Sequence, residues 1–544
     1  MIKEQKFSQQ IRKLIDELKS VCANYGLGND GNEFKIITQV FLYKFLHDKF
    51  VYEVKLLDKK LQNASNWEEQ FASYSKDEFE MLTLKLSEGT AIIKSDQLIT
   101  SLFARQNEGN FAEIFDKTLL DIAQENNDIF SVVTGGGEKV ALFENISKYV
   151  SDNRDDFCKA IVNKLVGFSF ENIFDQGFDF FSSIFEYLIK DYNSDSGGKY
   201  AEYFTPHSVS GIMAKCLVSD KEKNSISNVS CYDPSAGSGT LLMNLAHQIG
   251  EDKCSIYSQD ISQKSSNLLR LNLILNKLVH SIHNVIQANT LVKPVHKDRS
   301  GGLATFDYVV ANPPFKLDFS DFRDELDKKE NRDRFFAGIP KVPPKKKESM
   351  AIYLVFLQHV IFSLKPKGKA AVVVPTGFIT AQSGIEKKIR QKLVDDKILR
   401  GAVSMPSNIF ATTGTNVSIL FIDKTNKEDV VLIDASGLGE KVKEGKNQKT
   451  LLNTNDESQI INTFNNKKVV NDFSAVVSYK DIKAKNYSFS AGQYFEIKID
   501  YIDITKNEFD KKIIESIDNL TEQFEESKKR DADILRSFKK IKYE

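Results

Sequence analysis

Apolar residues recur every three or four positions through the first 165 residues, which is the spacing of one face of a helix. Strand patterns are few in this stretch, and three consecutive glycines at 135–137 indicate a loop. The clearest periodic runs are Phe7, Ile11, Leu14, Ile15 and Leu18, then Ile36, Ile37, Val40 and Phe41. The pattern predicts a helical amino-terminal domain over residues 1–165.

Short apolar runs alternate with helical patterns between about residues 166 and 425. Runs of this kind are typical of parallel strands, because both faces of a parallel sheet are covered. They occupy residues 229–232, 254–259, 284–287, 306–311 and 416–422. Strands that alternate with helices predict a doubly wound α/β sheet over residues 166–425.

The last part of the chain has two different patterns. Residues 426–504 are charged and turn-rich, which predicts a mixed extension whose core is hard to define from the sequence. Over residues 505–544 an apolar stripe runs along a charged helix, formed by Phe509, Ile513, Ile517, Leu520 and Phe524 and, after a polar interruption, by Ile534, Phe538 and Ile541. A stripe this narrow predicts a seam for a partner helix. The alternative is that the helix folds back on its own domain.

Composition bounds the class of protein. The chain has 544 residues, enough for two to four domains. Its five cysteines have no paired or metal-like spacing and predict reduced core residues. No apolar stretch reaches the roughly twenty residues that span a bilayer, and the amino terminus lacks the apolar region of a signal peptide. We expect a cytoplasmic protein that does not insert into a membrane.

Net charge and motif content limit which ligands the chain can bind by itself. The net charge is −1, so strong binding to DNA would need either a local basic surface or a partner that supplies the contacts. Residues 341–347 contain four lysines and could form such a surface, or a solvated loop. The seven histidines form no metal-binding motif, and no phosphate-binding loop of an ATP-driven motor occurs. We therefore expect no metal site.

The tetrapeptide Asn312-Pro313-Pro314-Phe315 follows the apolar run 306–311. Two prolines end a strand because neither can donate a ladder hydrogen bond. Asn312 therefore lies at the carboxyl end of a strand, where open α/β sheets bind ligands. Its amide oxygen and the Pro313 carbonyl can accept from a planar amine, and Phe315 offers a face for stacking. The alternative is an ordinary Pro-Pro turn with a capping Asn.

A glycine turn follows the first strand of the series, in the sequence Asp233-Pro234-Ser235-Ala236-Gly237-Ser238-Gly239. Glycines let the backbone approach a ligand, and the next helix offers free N–H groups to a carboxylate. Leu242 stands where a dinucleotide-binding turn has its third glycine. The Asp233 carboxylate would repel a pyrophosphate and attract the amino group of a methionine moiety.

The next two strands also end in polar residues. Asp260 lies about twenty positions beyond the glycine turn, where an acidic residue binds the ribose hydroxyls of an adenosine cofactor. The alternative is that Asp260 only caps the helix that begins near Ser262. Asn289 follows the third strand and can accept from the adenine amine of a cofactor.

The segment from Glu202 to His207, Glu-Tyr-Phe-Thr-Pro-His, precedes these motifs. Locally, Thr205 and Pro206 are typical of a helix cap and first turn. The order of this segment, the glycine turn, the acidic strand end and Asn-Pro-Pro-Phe resembles that of gamma-class adenine-N6 DNA methyltransferases. From about residue 180 to 494 the chain resembles the modification subunit of type I restriction-modification systems. The further matching segments are 185–188, 338–340, 356–359, 372–378 and 486–487.

The resemblance implies a class I (Rossmann-like) methyltransferase sheet with one antiparallel strand among its last, and S-adenosylmethionine as cofactor. It implies catalysis by Asn312, Pro313, Pro314 and Phe315. It implies cofactor binding by Glu202, Tyr203, Phe204, Thr205, Pro206, His207, Asp233, Pro234, Ser235, Ala236, Gly237, Ser238, Gly239, Asp260 and Asn289. Two positions depart from the family pattern, since His207 replaces an Arg and Asn289 an acidic residue.

The partners implied are DNA with a flipped adenine, a specificity subunit bound through the carboxyl-terminal helix and a second modification subunit, with a restriction subunit as a further candidate. Two alternatives stay open. The enzyme could methylate another amine, in a protein glutamine or an rRNA guanine, or the fold could be a catalytically degenerate scaffold for assembly.

Overall fold

A central sheet organises the chain. The structure is a computed structural model that describes residues 2–28, 31–171, 174, 184–185, 187–188, 205–410, 416–444, 447–495 and 504–539. The strands are β1 Val132–Thr134, β2 Lys139–Val140, β3 Val229–Asp233, β4 Cys254–Asp260, β5 Val285–Gln287, β6 Phe306–Ala311, β7 Leu364–Pro375, β8 Leu399–Ser404, β9 Val417–Asp423, β10 Val430–Asp434, β11 Glu440–Glu444, β12 Asn447–Leu451 and β13 Ser474–Val477.

Eleven of these strands form one sheet in the order β13-β10-β8-β9-β7-β6-β3-β4-β5-β1-β2. Its centre is parallel except for β9, which runs antiparallel to both β7 and β8. The strand order reverses at β3, which lies between β4 and β6. The predicted doubly wound sheet with an antiparallel strand among the last is therefore confirmed. Sheets of this kind bind ligands at the switch point, which here lies at the carboxyl ends of β3 and β6.

Both faces of the sheet are covered. In β6, Tyr308 and Val310 belong to one buried cluster, and Val309 and Ala311 belong to the cluster on the other face. Burial on both faces explains why such a strand shows a continuous apolar run in the sequence and no alternation.

Helices surround the sheet and form most of the amino-terminal region. The described α-helices are Ile2–Asn24, Gly31–Leu57, Lys59–Asn63, Trp67–Ala72, Lys76–Thr83, Ile99–Ala104, Phe111–Glu125, Asn127–Phe130, Arg154–Val166, His207–Leu217, Asp220–Lys223, Thr240–Ile249, Gln263–Leu275, Arg323–Leu326, Tyr353–Phe362, Gly377–Thr380, Gly384–Asp395, Thr454–Asn465, Tyr479–Ala484 and Lys506–Phe538. Short 3₁₀ turns span Ser95–Gln97, Ser147–Tyr149, Glu251–Lys253, Val279–Asn284, Lys329–Asn331, Lys347–Ser349 and Ala491–Gln493.

The amino-terminal region is helical where its periodicity predicts helices. Ile11, Leu14, Ile15 and Leu18 are buried, and the middle of the helix Gly31–Leu57, residues 40–48, is buried on all sides. The region also supplies strands β1 and β2 to the central sheet, and β1 pairs in parallel with β5. The glycines at 135–137 form the turn between them, as predicted.

Arg270 attaches this region to the sheet. Its buried guanidinium donates hydrogen bonds to the carbonyls of Phe130, Val140, Ala141 and Leu142. Residues 1–495 form one compact unit. The domain boundaries at residues 165 and 425 stay predictions.

The stretch that follows residue 425 is better ordered than its composition predicts. Strands β10 and β13 extend the sheet at its edge, and β11 and β12 form a separate hairpin. The core of this stretch, which is hard to define from the sequence, includes the buried residues Val430, Leu432, Ile460 and Phe464.

The carboxyl-terminal helix, Lys506–Phe538, belongs to a second unit that spans residues 496–544. It is continuous through the predicted polar interruption, and Thr505 and Glu508 form a capping box at its start. Each of its residues is exposed. Ile541, the last residue of the predicted stripe, lies outside the described residues. No helix among the described residues is long and apolar enough to cross a membrane.

Candidate active site

The sequence-predicted site residues meet at the carboxyl edge of the sheet. Asp233 ends β3, Asp260 ends β4, Asn289 lies two residues beyond β5, and Asn312 directly follows β6. Since β5, β4, β3 and β6 are neighbours and parallel, these four side chains belong to one continuous edge of the sheet.

The glycine turn between β3 and the helix Thr240–Ile249 approaches its neighbours closely. Gly237 and Gly239 have positive φ values of 52° and 82°, which favour glycine. A Cβ on Gly239 would lie 2.2 Å from Leu269 Cδ1. The Gly237 N–H donates to Asp260 Oδ2 at 3.0 Å, so the turn is tied to the end of β4. These glycines are required by the geometry of the turn.

Two buried carboxylates lie together beneath this turn. The pKa of Asp233 is raised to about 8, first by burial and then by the charge of Asp260. A hydrogen bond from the Ser235 N–H acts in the opposite direction and lowers this pKa. Burial also raises the pKa of Asp260. Within the described part of the chain neither carboxylate forms an ion pair. The pair therefore fits a ligand that carries positive charge, such as the sulfonium and ammonium groups of S-adenosylmethionine.

Both oxygens of Asp260 accept backbone hydrogen bonds. Oδ1 accepts from the Ser262 N–H at 2.8 Å and Oδ2 from Gly237. The N-cap of the helix Gln263–Leu275 is Ser262, whose hydroxyl accepts from the Ser265 N–H. Ser262 therefore occupies the N-cap position, and Asp260 contacts the start of the same helix through the Ser262 N–H. Its contact with ribose hydroxyls stays a prediction.

Asn289 uses its side-chain oxygen locally. Oδ1 accepts from the N–H groups of Leu291 and Val292 at 3.0 and 3.4 Å. These bonds compete with the predicted role of this oxygen as acceptor for an adenine amine, which stays a prediction. The amide NH2 is the group that Asn289 can still direct toward a ligand.

The catalytic turn is anchored by a residue that is remote in sequence. Asn312 Nδ2 donates to the Thr205 hydroxyl at 3.1 Å. Thr205 is buried and does not cap a helix, because the helix His207–Leu217 has Pro206 at its N-cap position and lacks a side-chain cap bond. The local interpretation of Thr205 as a cap is wrong. Since Nδ2 is bound, the orientation of the Asn312 carboxamide is fixed and its oxygen is the atom available to a substrate.

Phe315, the predicted stacking residue, is half-buried and packs edge-on against Tyr353, with ring centroids 6.2 Å apart.

His207 lies on the first turn of its helix, and its Nδ1 is 3.4 Å from Asn244 Nδ2 on the helix that follows the glycine turn. Glu202, Tyr203 and Phe204, which are predicted to bind the cofactor, lie outside the described residues. Among the residues that the structure describes, no group of His, Cys, Asp or Glu side chains could hold a metal ion.

Arg334 was not found by sequence reasoning. Its guanidinium is buried and donates to the carbonyls of Thr290 and Leu291 at 2.8 and 2.7 Å, and to Nδ1 of His359 at 3.0 Å. Burial and the charge of Arg334 hold the pKa of His359 well below its ordinary value. The neutral ring can therefore accept at Nδ1 and donate from Nε2 to the Tyr232 hydroxyl, 3.2 Å away.

This network connects the segment after the catalytic turn to the loop that carries Asn289. The neighbouring Gln358 completes it, because its amide accepts from the Ala337 N–H at 2.7 Å and donates to the Gly338 carbonyl at 3.0 Å. In the sequence, the indication of this network was that segments 338–340 and 356–359, which contain Gly338 and Gln358, match type I modification subunits. Arg334 lies four residues before the first of them and belongs to no motif.

The family model of N-6 DNA methylases matches residues 176–500, which is more than half of the chain and contains the whole edge described above. The chain belongs to the N-6 DNA methylase family. The predicted enzyme class, an adenine-type DNA methyltransferase, is thereby confirmed.

Two relatives of this N-6 DNA methylase illustrate its position in the family. The type I restriction enzyme MpnII methylase subunit of Mycoplasma pneumoniae is 28% identical over 468 residues, which cover 82% of this chain and 82% of that protein. The MjaIX methylase subunit of Methanocaldococcus jannaschii is 26% identical over 59% of this chain and 56% of that protein. The predicted resemblance to type I methylase subunits is confirmed.

Two solved structures share the fold of this chain. The type I restriction-modification methyltransferase subunit from Streptococcus thermophilus has a TM-score of 0.68 at 22% identity, covering 91% of this chain and all of that chain. A modification subunit of a putative type I restriction enzyme from Vibrio vulnificus has a TM-score of 0.54 at 18% identity, covering 87% of this chain and 93% of that one.

Proposed function

We propose that this N-6 DNA methylase transfers the methyl group of S-adenosylmethionine to N6 of adenine in DNA, as the modification subunit of a type I restriction-modification system. The observation that carries the proposal is the bond from Asn312 Nδ2 to Thr205, which leaves the Asn312 oxygen to accept from a base amine.

The proposed cofactor site consists of the residues on the carboxyl edge of β3, β4 and β5. Asp233 and Asp260 would face its positive charge and ribose, and the turn from Pro234 to Gly239 would pass along the methionine moiety. Thr205, Pro206, His207 and Asn289 complete the described part, and Glu202, Tyr203 and Phe204 are included on the sequence pattern alone. When bound, S-adenosylmethionine supplies an electrophilic methyl group.

The proposed catalytic contacts act on a base that has been flipped out of the duplex. Asn312 Oδ1 and the Pro313 carbonyl accept from the exocyclic NH2. These bonds draw the N–H protons away and increase the electron density on a nitrogen that is otherwise conjugated into the ring. Pro314 keeps the turn rigid, and Phe315 stacks on the base. The chain contributes orientation and hydrogen-bond acceptors to this step.

The proposed partners follow from the type I methylase relatives. We expect a specificity subunit to bind the apolar stripe of the carboxyl-terminal helix and to choose the DNA sequence. A second modification subunit and a restriction subunit would complete the assembly, in the cytoplasm.

The test uses the full chain with its specificity subunit, labelled S-adenosylmethionine and genomic DNA. We expect the label at N6 of adenine at a defined sequence, and little or none when the chain acts alone. Label on protein glutamine or rRNA guanine would instead support methylation of another amine. Absence of label with every partner would support the scaffold alternative.

A further inference from the structure

A basic loop lies between the catalytic turn and the helix Tyr353–Phe362. We define the basic loop as residues 341–347, whose sequence is Lys-Val-Pro-Pro-Lys-Lys-Lys. Its four lysines are exposed, and none forms an ion pair with a described residue. The loop contains no acidic residue, whereas the whole chain has 74 basic and 75 acidic residues. It is therefore a local excess of positive charge on a nearly neutral protein.

Both ends of the basic loop are tied to the catalytic turn or to residues that follow it. On one side, the Leu317 N–H donates to the Met350 carbonyl at 3.1 Å, and Leu317 is two residues beyond Phe315. On the other side, the Arg323 guanidinium donates to the carbonyls of Ile339 and Pro340 at 3.4 and 3.3 Å. The positive charge is thus held beside the segment that directly follows the catalytic turn.

The loop itself is restrained. Pro343 and Pro344 limit its backbone, and Lys346 adopts a positive φ of 60° in a turn closed by the Ser349 hydroxyl and N–H, which both donate to the Lys346 carbonyl. The pKa of Asp318 is lowered first by hydrogen bonds from Ser320 and further by the charge of Lys347, which agrees with the proximity of the loop to the catalytic segment.

We infer that the basic loop binds the phosphates of the DNA strand beside the flipped base. The inference rests on the proposed function and adds a DNA-contact surface to it. Lysine is a flexible point charge, and contacts to phosphate position a protein on DNA without reading its sequence. A restrained loop beside the catalytic turn would hold the backbone on either side of the extruded nucleotide. Sequence choice stays with the partner.

The test compares two triple variants in the complex with the specificity subunit. The first is Lys345→Gln with Lys346→Gln and Lys347→Gln. The control is Lys367→Gln with Lys397→Gln and Lys427→Gln, which removes three exposed lysines from the opposite edge of the sheet. The two sets are matched, since Lys346 and Lys397 both have positive φ. DNA affinity is measured between 50 and 200 mM salt, conditions under which phosphate contacts are resolved by their salt dependence.

The slope of the logarithm of DNA affinity against the logarithm of salt concentration should become shallower by about 0.9 for each phosphate contact removed, roughly 1.8–2.7 in total. At the lowest salt, the loop variant should bind DNA at least about tenfold more weakly than wild type. Its KM for DNA should rise while kcat and affinity for S-adenosylmethionine stay within about twofold of wild type. The control variant should behave as wild type. Equal salt slopes for the loop variant and wild type would overturn the inference.

Two other outcomes are also informative. Loss of the specificity subunit from the loop variant, with an unchanged salt slope in the remaining complex, would show that the loop binds an acidic protein surface and would overturn the inference. Failure of the proposed function is separate, because it would appear as absence of N6-methyladenine with the wild-type complex.

Discussion

At the scale of single residues, the role of a side chain in the site depends on its hydrogen-bond partner. The sequence places Asn312 at a strand end, and the structure confirms that position. The sequence around Thr205 is typical of a helix cap, but its hydroxyl instead accepts from Asn312, which is 107 residues away. Local patterns predict the residues that end strands, whereas they do not predict bonds across such a separation.

The first prediction concerns Asn312→Ala. Loss of the carboxamide should reduce methyl transfer by at least about 100-fold, ~2.7 kcal/mol, because a positioned hydrogen-bonding group is removed from the reacting amine. Affinity for S-adenosylmethionine, measured by calorimetry, should change less than about tenfold, ~1.4 kcal/mol.

The matched variants for this prediction are at Thr205. Thr205→Ser keeps a hydroxyl for Asn312 Nδ2 and should retain activity, whereas Thr205→Val removes the acceptor and should lower kcat. If Asn312→Ala weakened cofactor binding far more than tenfold, Asn312 would belong to the cofactor site.

The second prediction concerns pH. The folded state raises the pKa of Asp233 from 3.8 to about 8. The folded protein thus binds this proton more tightly than the unfolded chain, so this carboxyl lowers the free energy of unfolding as pH rises from about 4 to about 8. A bound cation favours the ionised form, so affinity for S-adenosylmethionine should rise with pH, by up to about tenfold per unit below pH 8.

Calorimetry in buffers of different ionisation enthalpy should detect a proton released on binding at pH 7. Asp233→Asn should bind more weakly and should lose most of the pH dependence. Equal wild-type affinity at about pH 6.5 and 8.5 would contradict this assignment of the proton.

At the scale of elements, the helix Tyr353–Phe362 and the segment before it hold the cofactor edge in place. Residues 353–361 of this helix are buried. The roles of its two polar residues, Gln358 and His359, follow only from the segment that packs on them. Arg334 connects that segment to the carbonyls beyond β5, so the loops that follow β5 and β6 form one network.

The third prediction is that Arg334→Met destabilises the protein and weakens cofactor binding. Two buried carbonyls lose their donor, at a cost of about 1–3 kcal/mol each. The loop with Asn289 should then become less ordered, and affinity for S-adenosylmethionine should fall by about tenfold or more, ~1.4 kcal/mol. Urea unfolding and calorimetry measure the two effects.

Arg332→Met is the control, since Arg332 is exposed and lies on the same segment. It should leave both quantities unchanged. A destabilised Arg334→Met protein with wild-type cofactor affinity would show that the network supports the fold without shaping the site.

At the scale of the whole molecule, the amino-terminal region is part of the sheet that carries the site. The turn after β1 contacts the chain beyond β5, where the Gly135 N–H donates to the Gln287 carbonyl at 2.8 Å. A Cβ on Gly135 would lie 2.7 Å from the Ala288 Cβ, next to Asn289. The helical region therefore abuts the cofactor edge directly.

The fourth prediction is that Gly135→Ala displaces this loop. The clash should cost about 1–3 kcal/mol of stability and weaken binding of S-adenosylmethionine. Gly136→Ala is the control, because a Cβ there meets only the Thr134 hydroxyl at 3.6 Å. Thermal unfolding with and without cofactor measures both effects, and identical behaviour of the two variants would contradict the prediction.

The fifth prediction concerns the carboxyl-terminal helix. Ile517 and Leu520 are 56% and 52% exposed, which suits a surface that a partner covers. Replacing both with Asp should leave the isolated chain folded and able to bind cofactor, but should abolish association with the specificity subunit. Each apolar side chain that is no longer buried by the partner reduces the free energy of association by about 1.5–3 kcal/mol. Desolvation of the two introduced carboxylates weakens association further.

The control pair is Ser516→Asp with Thr521→Asp, which adds the same charge at polar positions of the same helix. It should still copurify with the partner. A large drop in the melting temperature of the Ile517 and Leu520 variant, with retained association, would show that the stripe packs on its own chain.

The sequence by itself determined the strand ends of the site and the family, because these depend on local apolar runs and on short motifs in a fixed order. The antiparallel strand was implied by the family resemblance. The tertiary structure decided the partner of Thr205, the role of Arg334 and the entry of β1 and β2 into the sheet. Buried polar groups must find hydrogen-bond partners wherever the fold brings them. Those partners are far apart along the chain, so a local sequence pattern does not predict them.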